Sequence, residues 1–194
     1  MKLFYIPDGH RRYAQKMSCS LEEAYNEGLR VLIEEILNPL FQASLVTSVD
    51  VFCLSNLNLQ RRDERELEGF LRQGPDFLRS LIDRCSHYAS IRTVGTYLPE
   101  NISIKTVPDR QITLVIGSRT ADDLGCPPVD IFIRSGGELR LSGAPRSVIG
   151  DYTQFYVIDE LHPLVRAGHI MHCLKSYRSR YRRSTDTPIL KTAT

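Results

Sequence analysis

Residues 129–145 read VDIFIRSGGELRLSGAP, a stretch in which a core strand runs straight into charge. Val129, Ile131 and Ile133 alternate as one face of a buried strand, while Arg134, Glu138, Arg140 and Ser142 follow around a turn at Gly136 and Gly137. Guanidinium forks and hydroxyls hydrogen-bond phosphate oxygens, and glycine lets such oxygens approach the backbone. The stretch therefore reads as an anion site at the end of a strand.

Outward from it, apolar runs at Leu3 to Ile6, SVDVFCL (48–54), Ile91 to Val94, Ile112 to Ile116 and QFYVI (154–158) complete six strands. Helical patterns lie between them. Leu21 to Leu37 carries an apolar face through Ala24, Tyr25, Gly28, Leu29, Leu32 and Ile36, opened by a capping box at Ser20 and Glu23. A second helix with Leu67, Phe70 and Leu71 inside is predicted to break or kink at Gly74 and Pro75. Phe77, Leu78, Leu81, Ile82 and Cys85 continue a helical pattern, and a last helix spans roughly Val165 to Arg182. This alternation predicts an α/β fold, a single mainly parallel six-stranded sheet flanked by helices, as one domain over residues 1–183 with a flexible tail at 184–194. Such sheets bind ligands outside the carboxyl ends of their strands.

The 194 residues are 42% hydrophobic, enough for one sizeable core, and a net charge of +2 gives no global pull toward nucleic acid or lipid. Anion binding must then come from local clusters. Cys19, Cys53, Cys85, Cys126 and Cys173 are odd in number and include no C-x-x-C pair, which favours reduced thiols over zinc or disulfides. The apolar run in MKLFYIPDGHRR is broken at Pro7 and Asp8, too short for a signal peptide or a span, so a cytoplasmic protein without stable membrane insertion is expected. The tyrosine- and arginine-rich run 177–183 raises single-stranded nucleic acid as a rival ligand, which one short segment on a nearly neutral chain disfavours. No P-loop motif occurs.

Three segments that follow strands open on one rim: Pro7-Asp8-Gly9-His10-Arg11-Arg12, then Ser55, Asn58 and Arg61, then Arg134 to Ser142. Each alone has a plain structural reading, because Asp-Gly and Gly-Gly pairs are ordinary turns and RRDER at 61–65 is an ordinary solvated helix start. Together, Arg12, Arg61, Arg134 and Arg140 exceed the demand of one phosphate. Asp8 would be repelled by phosphate without a mediator, and Mg²⁺ takes one or two carboxylates together with phosphate oxygens. Two diphosphates, or one very large one, with metal, is what these residues point to.

The same residues resemble the signatures of the cis-prenyltransferases, the family typified by undecaprenyl diphosphate synthase. DGNxRWA stands here as Asp8-Gly9-His10-Arg11-Arg12-Tyr13-Ala14, S-x-x-N-x-x-R as Ser55, Asn58 and Arg61, and IRTGGExRxS as Ile133-Arg134-Ser135-Gly136-Gly137-Glu138-Leu139-Arg140-Leu141-Ser142. The resemblance runs in order from Leu3 to about Arg183. It implies a homodimer with a hydrophobic tunnel that uses Mg²⁺ and two diphosphates. By it, Asp8 would hold the metal, and Gly9, His10, Arg11, Arg12 and Arg61 would bind an allylic prenyl diphosphate. Arg134, Arg140 and Ser142 would bind isopentenyl diphosphate or a second allylic diphosphate, and Ser55 and Asn58 would assist proton or leaving-group transfer, completing a catalytic set with Asp8.

Three departures from the pattern bear on function. The family's second metal-linked Glu falls on Gln154, a neutral amide and a poorer Mg²⁺ ligand. A further phosphate-binding arginine is replaced near Leu21. Between Gly117 and Val129, SRTADDLGCPP replaces a longer turn and its helices, which predicts a small or open tunnel. The expected activity is therefore Mg²⁺-assisted coupling of dimethylallyl or geranyl diphosphate into a short, irregular or cyclised terpenoid diphosphate. Prenylation of a non-isoprenoid acceptor and a non-catalytic accessory subunit are the alternatives.

Overall fold

Leu3, Phe4, Tyr5 and Ile6 are all buried, as a strand covered on both faces must be, and β1 (Lys2–Ile6) lies inside the sheet. The computed structural model describes residues 1–54, 64–95, 102–117 and 126–179, with the backbone alone for 64–72. The other strands are β2 (Ser48–Leu54), β3 (Ser90–Val94), β4 (Ser103–Ile104), β5 (Gln111–Ile116), β6 (Ile131–Ser135) and β7 (Gln154–Ile158), in the order β4-β3-β5-β2-β1-β6-β7. All neighbours are parallel except β3 and β4. The seventh strand, absent from the sequence reading, is the two-residue β4, too short to carry a periodic signal.

Helices α2 (Leu21–Val31), α3 (Asn38–Gln42), α4 (Glu64–Cys85) and α5 (Ala167–Ser179) each bury side chains against one face of the sheet. There Val31, Leu40, Leu81 and Ile170 meet Leu3, Val51, Leu114 and Ile133. On the other face Phe4, Phe52, Val115 and Phe132 are closed over by segments 126–129 and 144–149 instead. The Phe4 and Phe132 rings stack there at 5.2 Å.

The capping box forms as predicted: the Glu23 amide donates to Ser20 Oγ at 3.1 Å, and the Ser20 amide donates to Glu23 Oε2 at 2.8 Å. Beyond α2 the chain continues through wider, π-type turns at Leu32–Leu37, where the Asn38 amide reaches back five residues to the Ile33 carbonyl. Pro39 explains the widening, since its ring clashes with the carbonyl four residues back and it has no N–H to donate. Of the break or kink expected at Gly74 and Pro75, the break does not occur, and α4 is continuous from Glu64 to Cys85 with Pro75 inside it. Fully buried Leu81 and Cys85 anchor its second half, so packing overrides the local preference. The last helix starts at Ala167, whose amide donates to Glu35 Oε2 at 3.1 Å, after a short turn at His162–Leu164. The tail predicted at 184–194 lies outside the described residues. Among those described, no helix is long and apolar enough to cross a membrane.

Candidate functional site

β1 and β6 are neighbours, yet the chain leaves β1 toward β2 on one side and β6 toward β7 on the other. A crevice forms outside the carboxyl ends of strands at such a switch point. Ile6 pairs with Arg134 in this register, so Asp8 and the turn 135–142 emerge side by side. Asp8 is fixed through its backbone: its amide donates to Ser135 Oγ at 3.0 Å and its carbonyl accepts the His162 amide at 2.8 Å. Gly9 follows at φ 111°, where a Cβ would also stand 2.8 Å from Leu161 Cδ2.

Residues 7–12, read from sequence as a loop, are a loop only as far as Gly9. His10 opens helix α1 (His10–Met17), which buries no residue and so carries no apolar stripe to betray it. Gly9 cannot cap this helix through a side chain and no acid lies in its first turn; Asp8, just ahead of Gly9, is the carboxylate at its positive end.

Arg134, only 2% exposed, organises the charge. Its Nη1 donates to the Arg140 carbonyl and to Ser142 Oγ at 2.6 Å, and its Nη2 donates to Asp8 Oδ2 at 2.5 Å and Glu138 Oε2 at 3.3 Å. Glu138 also pairs with Arg140 Nε at 2.5 Å and lies 3.8 Å from Arg12 Nη2, which is itself 3.9 Å from Asp8. Three guanidiniums against two carboxylates leave the cluster one charge positive. Arg134 Nε is buried without a hydrogen-bond partner among the described residues, one unmet donor in a wall of the site. Glu138 lies within the sequence motif, and only the fold shows that it links three arginines.

The glycine turn works differently from the sequence expectation. Gly136 N–H donates to the Glu160 carbonyl at 2.8 Å and Gly137 N–H to the Ile158 carbonyl at 3.0 Å, so both amides are engaged within the protein. What the turn supplies is proximity: at Gly136, φ 88°, a Cβ would stand 2.7 Å from Arg12 Nη2 and 3.2 Å from the Asp8 carbonyl oxygen.

His10 turns toward α2, its ring 5.0 Å from that of Tyr25 and 5.1 Å from that of His162, over the bare Cα of Gly28. His162 is buried between Tyr5 Oη at 2.8 Å and the Gly28 carbonyl at 2.9 Å, and burial lowers its pKa to about 4. It is neutral at pH 7.

Behind this charged rim the described residues line a cavity of about 1030 Å³. Leu29 of α2, Leu32 of the π-type turns that follow it, Val51 and Leu54 of β2, Leu114 and Ile116 of β5, and Phe77 and Leu78 of α4 make its walls apolar. Cys53 also lines it, but burial pushes that thiol up to about 12, which removes it as a thiolate nucleophile. The site thus joins anion donors to a chamber with apolar walls.

Asp8, Gly9, His10, Arg11, Arg12, Arg134, Arg140 and Ser142 all line this one cavity. Ser55, Asn58 and Arg61 lie outside the described residues, just beyond the end of β2. Within one chain Gln154 pairs with Ile131 at the start of β6 and β7, at the opposite rim of the sheet, and its side-chain oxygen accepts from Tyr156 Oη at 2.9 Å. Three strand residues separate that level from Arg134, roughly 10 Å, so Gln154 is not brought to Asp8. Among the described residues no three His, Cys, Asp or Glu side chains are placed to hold a metal alone. Asp8 and Glu138, both within reach of Arg134 Nη2, instead suit a hard cation held jointly with ligand phosphate oxygens.

No family model matches the chain. It is 26% identical over 202 residues to an isoprenyl transferase of Chlamydia trachomatis serovar D, covering 90% of this chain and 79% of that one. It is 26% identical over 223 residues to a geranylgeranyl-diphosphate-specific tritrans,polycis-undecaprenyl-diphosphate synthase of Pyrobaculum aerophilum, covering 92% of each. Among solved structures, lavandulyl diphosphate synthase of Lavandula x intermedia, in complex with dimethylallyl diphosphate, superposes with a TM-score of 0.73 at 21% identity, over 93% of this chain and 96% of that one. A probable undecaprenyl diphosphate synthase of Campylobacter jejuni gives 0.63 at 16% identity over the same shares.

Proposed function

We propose that the chain is a divergent member of the cis-prenyltransferase family, a transferase of prenyl groups, as its similarity to the isoprenyl transferases supports, and that it couples two short prenyl diphosphates with the help of Mg²⁺. The observation that carries this reading is the junction of Arg12, Arg134, Arg140 and Ser142 with an apolar cavity at whose mouth Asp8 stands.

Arg12 and the amino end of α1 hold the departing diphosphate of the allylic substrate, with Arg61 as a further donor. Arg134, Arg140 and Ser142 hold the second diphosphate. As the allylic C–O bond ionises, its electron pair leaves with diphosphate, the double bond of the second substrate attacks the allylic carbon, and a proton is lost. Asp8, together with Glu138 rather than Gln154, would hold Mg²⁺, which when bound neutralises charge on the diphosphate oxygens. Leu29, Leu32, Phe77 and Leu78 exclude water from the cationic fragment. Ser55 and Asn58 assist proton or leaving-group transfer in this scheme.

The short segment between Gly117 and Val129, where the family that the chain resembles carries a longer turn and its helices, supports short substrates. A cytoplasmic homodimer belongs to the same proposal; Tyr152 and Phe155, 48% and 41% exposed on and beside the edge strand β7, offer an apolar surface for the second copy.

Purified protein with Mg²⁺, dimethylallyl or geranyl diphosphate and isopentenyl diphosphate tests the reading, with mass spectrometry of products and a diphosphate-release assay. Ten- to fifteen-carbon diphosphates are expected. Long polyprenyl products would overturn the short-chain reading, and no diphosphate release with any pair would replace catalysis by an accessory role.

A further inference from the structure

A second cavity, of about 720 Å³, opens at the other end of the sheet, where β2, β3 and β5 begin. Its floor is Asp50 and Thr113, only 4% and 1% exposed, on the face of the sheet turned away from the large helical core. Lys2 from β1, Arg92 from β3, and Lys105 and Arg110 from the segment ahead of β5 all line it. None of these four cations forms an ion pair among the described residues.

Two of them are fixed in place. Arg92 Nε donates to Thr113 Oγ1 at 3.0 Å, which ties the guanidinium to the buried floor, and Arg110 Nη2 donates to Ser44 Oγ at 3.0 Å. The segment carrying Lys105 and Arg110 is itself pinned: Ser90 Oγ donates to the Val107 carbonyl at 2.8 Å and accepts the Thr106 and Val107 amides, each at 3.1 Å. Flexible surface cations are ordinarily solvated singly and spread apart. Here four converge on a recess whose backbone is held rigid.

The carboxylates facing them are Asp50 and Asp109, so cations exceed acids by two. Burial raises the pKa of Asp50, and the hydrogen bond from Thr113 and the charges of Arg92 and Lys2 act against that rise. An anion with two or more charges and several acceptor oxygens balances this set, and a phosphate group is the small anion that forked guanidiniums match best.

We propose that this cavity is a second anion site, which takes a small phosphate- or diphosphate-bearing molecule between Arg92, Lys105, Arg110 and Lys2. It is separate from the switch-point crevice, since the seven residues of β2 put roughly 20 Å between the two rims. Nothing in it depends on prenyl transfer.

Hydrogen exchange read by mass spectrometry, with inorganic diphosphate as the probe, tests the site because it reports each region separately. Saturable protection is expected in 90–93 and 102–111. The double substitution Arg92→Gln, Lys105→Gln should raise its midpoint about tenfold or more, the loss of one to two charge-assisted contacts, and leave protection at 6–13 and 134–142 unchanged. Protection confined to the latter segments, or a midpoint unmoved by the double substitution, refutes the proposal. Protection at 90–93 and 102–111 without any at 134–142 would instead defeat the reading of the first site and leave this one standing. Sedimentation with phosphatidylglycerol and phosphatidylcholine vesicles separates the sources: anionic-vesicle binding lost in the double variant assigns a lipid headgroup, and indifference to both vesicles assigns a free anion.

Discussion

Glu138 shows how one carboxylate can set the aim of several cations. It touches Arg140 and Arg134 and approaches Arg12, and no other acid in the cluster reaches all three. Glu138→Gln keeps size and polarity but removes the charge that holds the forks, so diphosphate binding should suffer more than chemistry. Steady-state kinetics should show kcat/KM falling about 10- to 100-fold, the worth of one or two charge-assisted hydrogen bonds, with most of the change in KM. A loss confined to kcat would assign Glu138 to holding Mg²⁺ beside Asp8 and not to aiming the arginines. His162 gives a second test at this scale. Its folded pKa, about 4, lies below the ordinary 6.5, so below pH 6.5 the unfolded chain binds the proton first. Its contribution is whole above pH 6.5 and declines toward pH 4, by on the order of 3 kcal/mol. Urea unfolding between pH 7.5 and 4.5 should show this slope in the parent protein and a flatter one in His162→Gln. The motif residues of the crevice were readable because their spacing is local. Glu138's reach and the burial of His162 were not, because both depend on chain segments brought together from more than a hundred residues apart or folded back around a turn.

Between elements, the contact of α1 with α2 rests on a missing side chain. Gly28 lies within a helix, where alanine is ordinarily worth up to about 1 kcal/mol more than glycine, yet a Cβ there would stand 2.3 Å from His10 Nε2 and 3.2 Å from His162 Cδ2. Overpacking of this kind costs about 1–3 kcal/mol, so Gly28→Ala should lower the melting temperature rather than raise it. His10→Ala in the Gly28→Ala background should recover part of the loss. Additive losses in that double-mutant cycle would mean that the His10 ring is not what Gly28 makes room for. Sequence periodicity revealed six of the strands and the buried helices other than the short α3, since an apolar stripe is what burial demands. It missed α1 because that helix buries nothing, and β4 because two residues make no period. Within one chain Gln154 stands apart from Asp8 for a topological reason. A residue that opens a parallel strand stands at the rim opposite the one where the preceding strand delivers its loop, however near the two lie in sequence.

At the scale of the whole molecule, the sheet order gathers charge at one crevice and leaves it incompletely balanced. Arg134 and Arg12 attend the Asp8 carboxylate directly, so a divalent cation entering alone meets repulsion and a carboxylate already engaged. A diphosphate entering with it gives the guanidiniums another partner and brings the phosphate oxygens that Mg²⁺ coordination requires. Metal and diphosphate should therefore bind with positive coupling, each tightening the other by the same factor. Thermal unfolding of the full chain measures this. Mg²⁺ alone at millimolar concentration should move the melting temperature little, inorganic diphosphate alone should raise it modestly, and the two together should raise it by more than the sum. Saturation at a hundred times the dissociation constant corresponds to about 2.7 kcal/mol. In Asp8→Asn the diphosphate shift should persist and the excess produced by Mg²⁺ should vanish. Additive shifts in the parent protein, or an excess that survives Asp8→Asn, would mean that the carboxylate at the head of α1 does not join the two ligands.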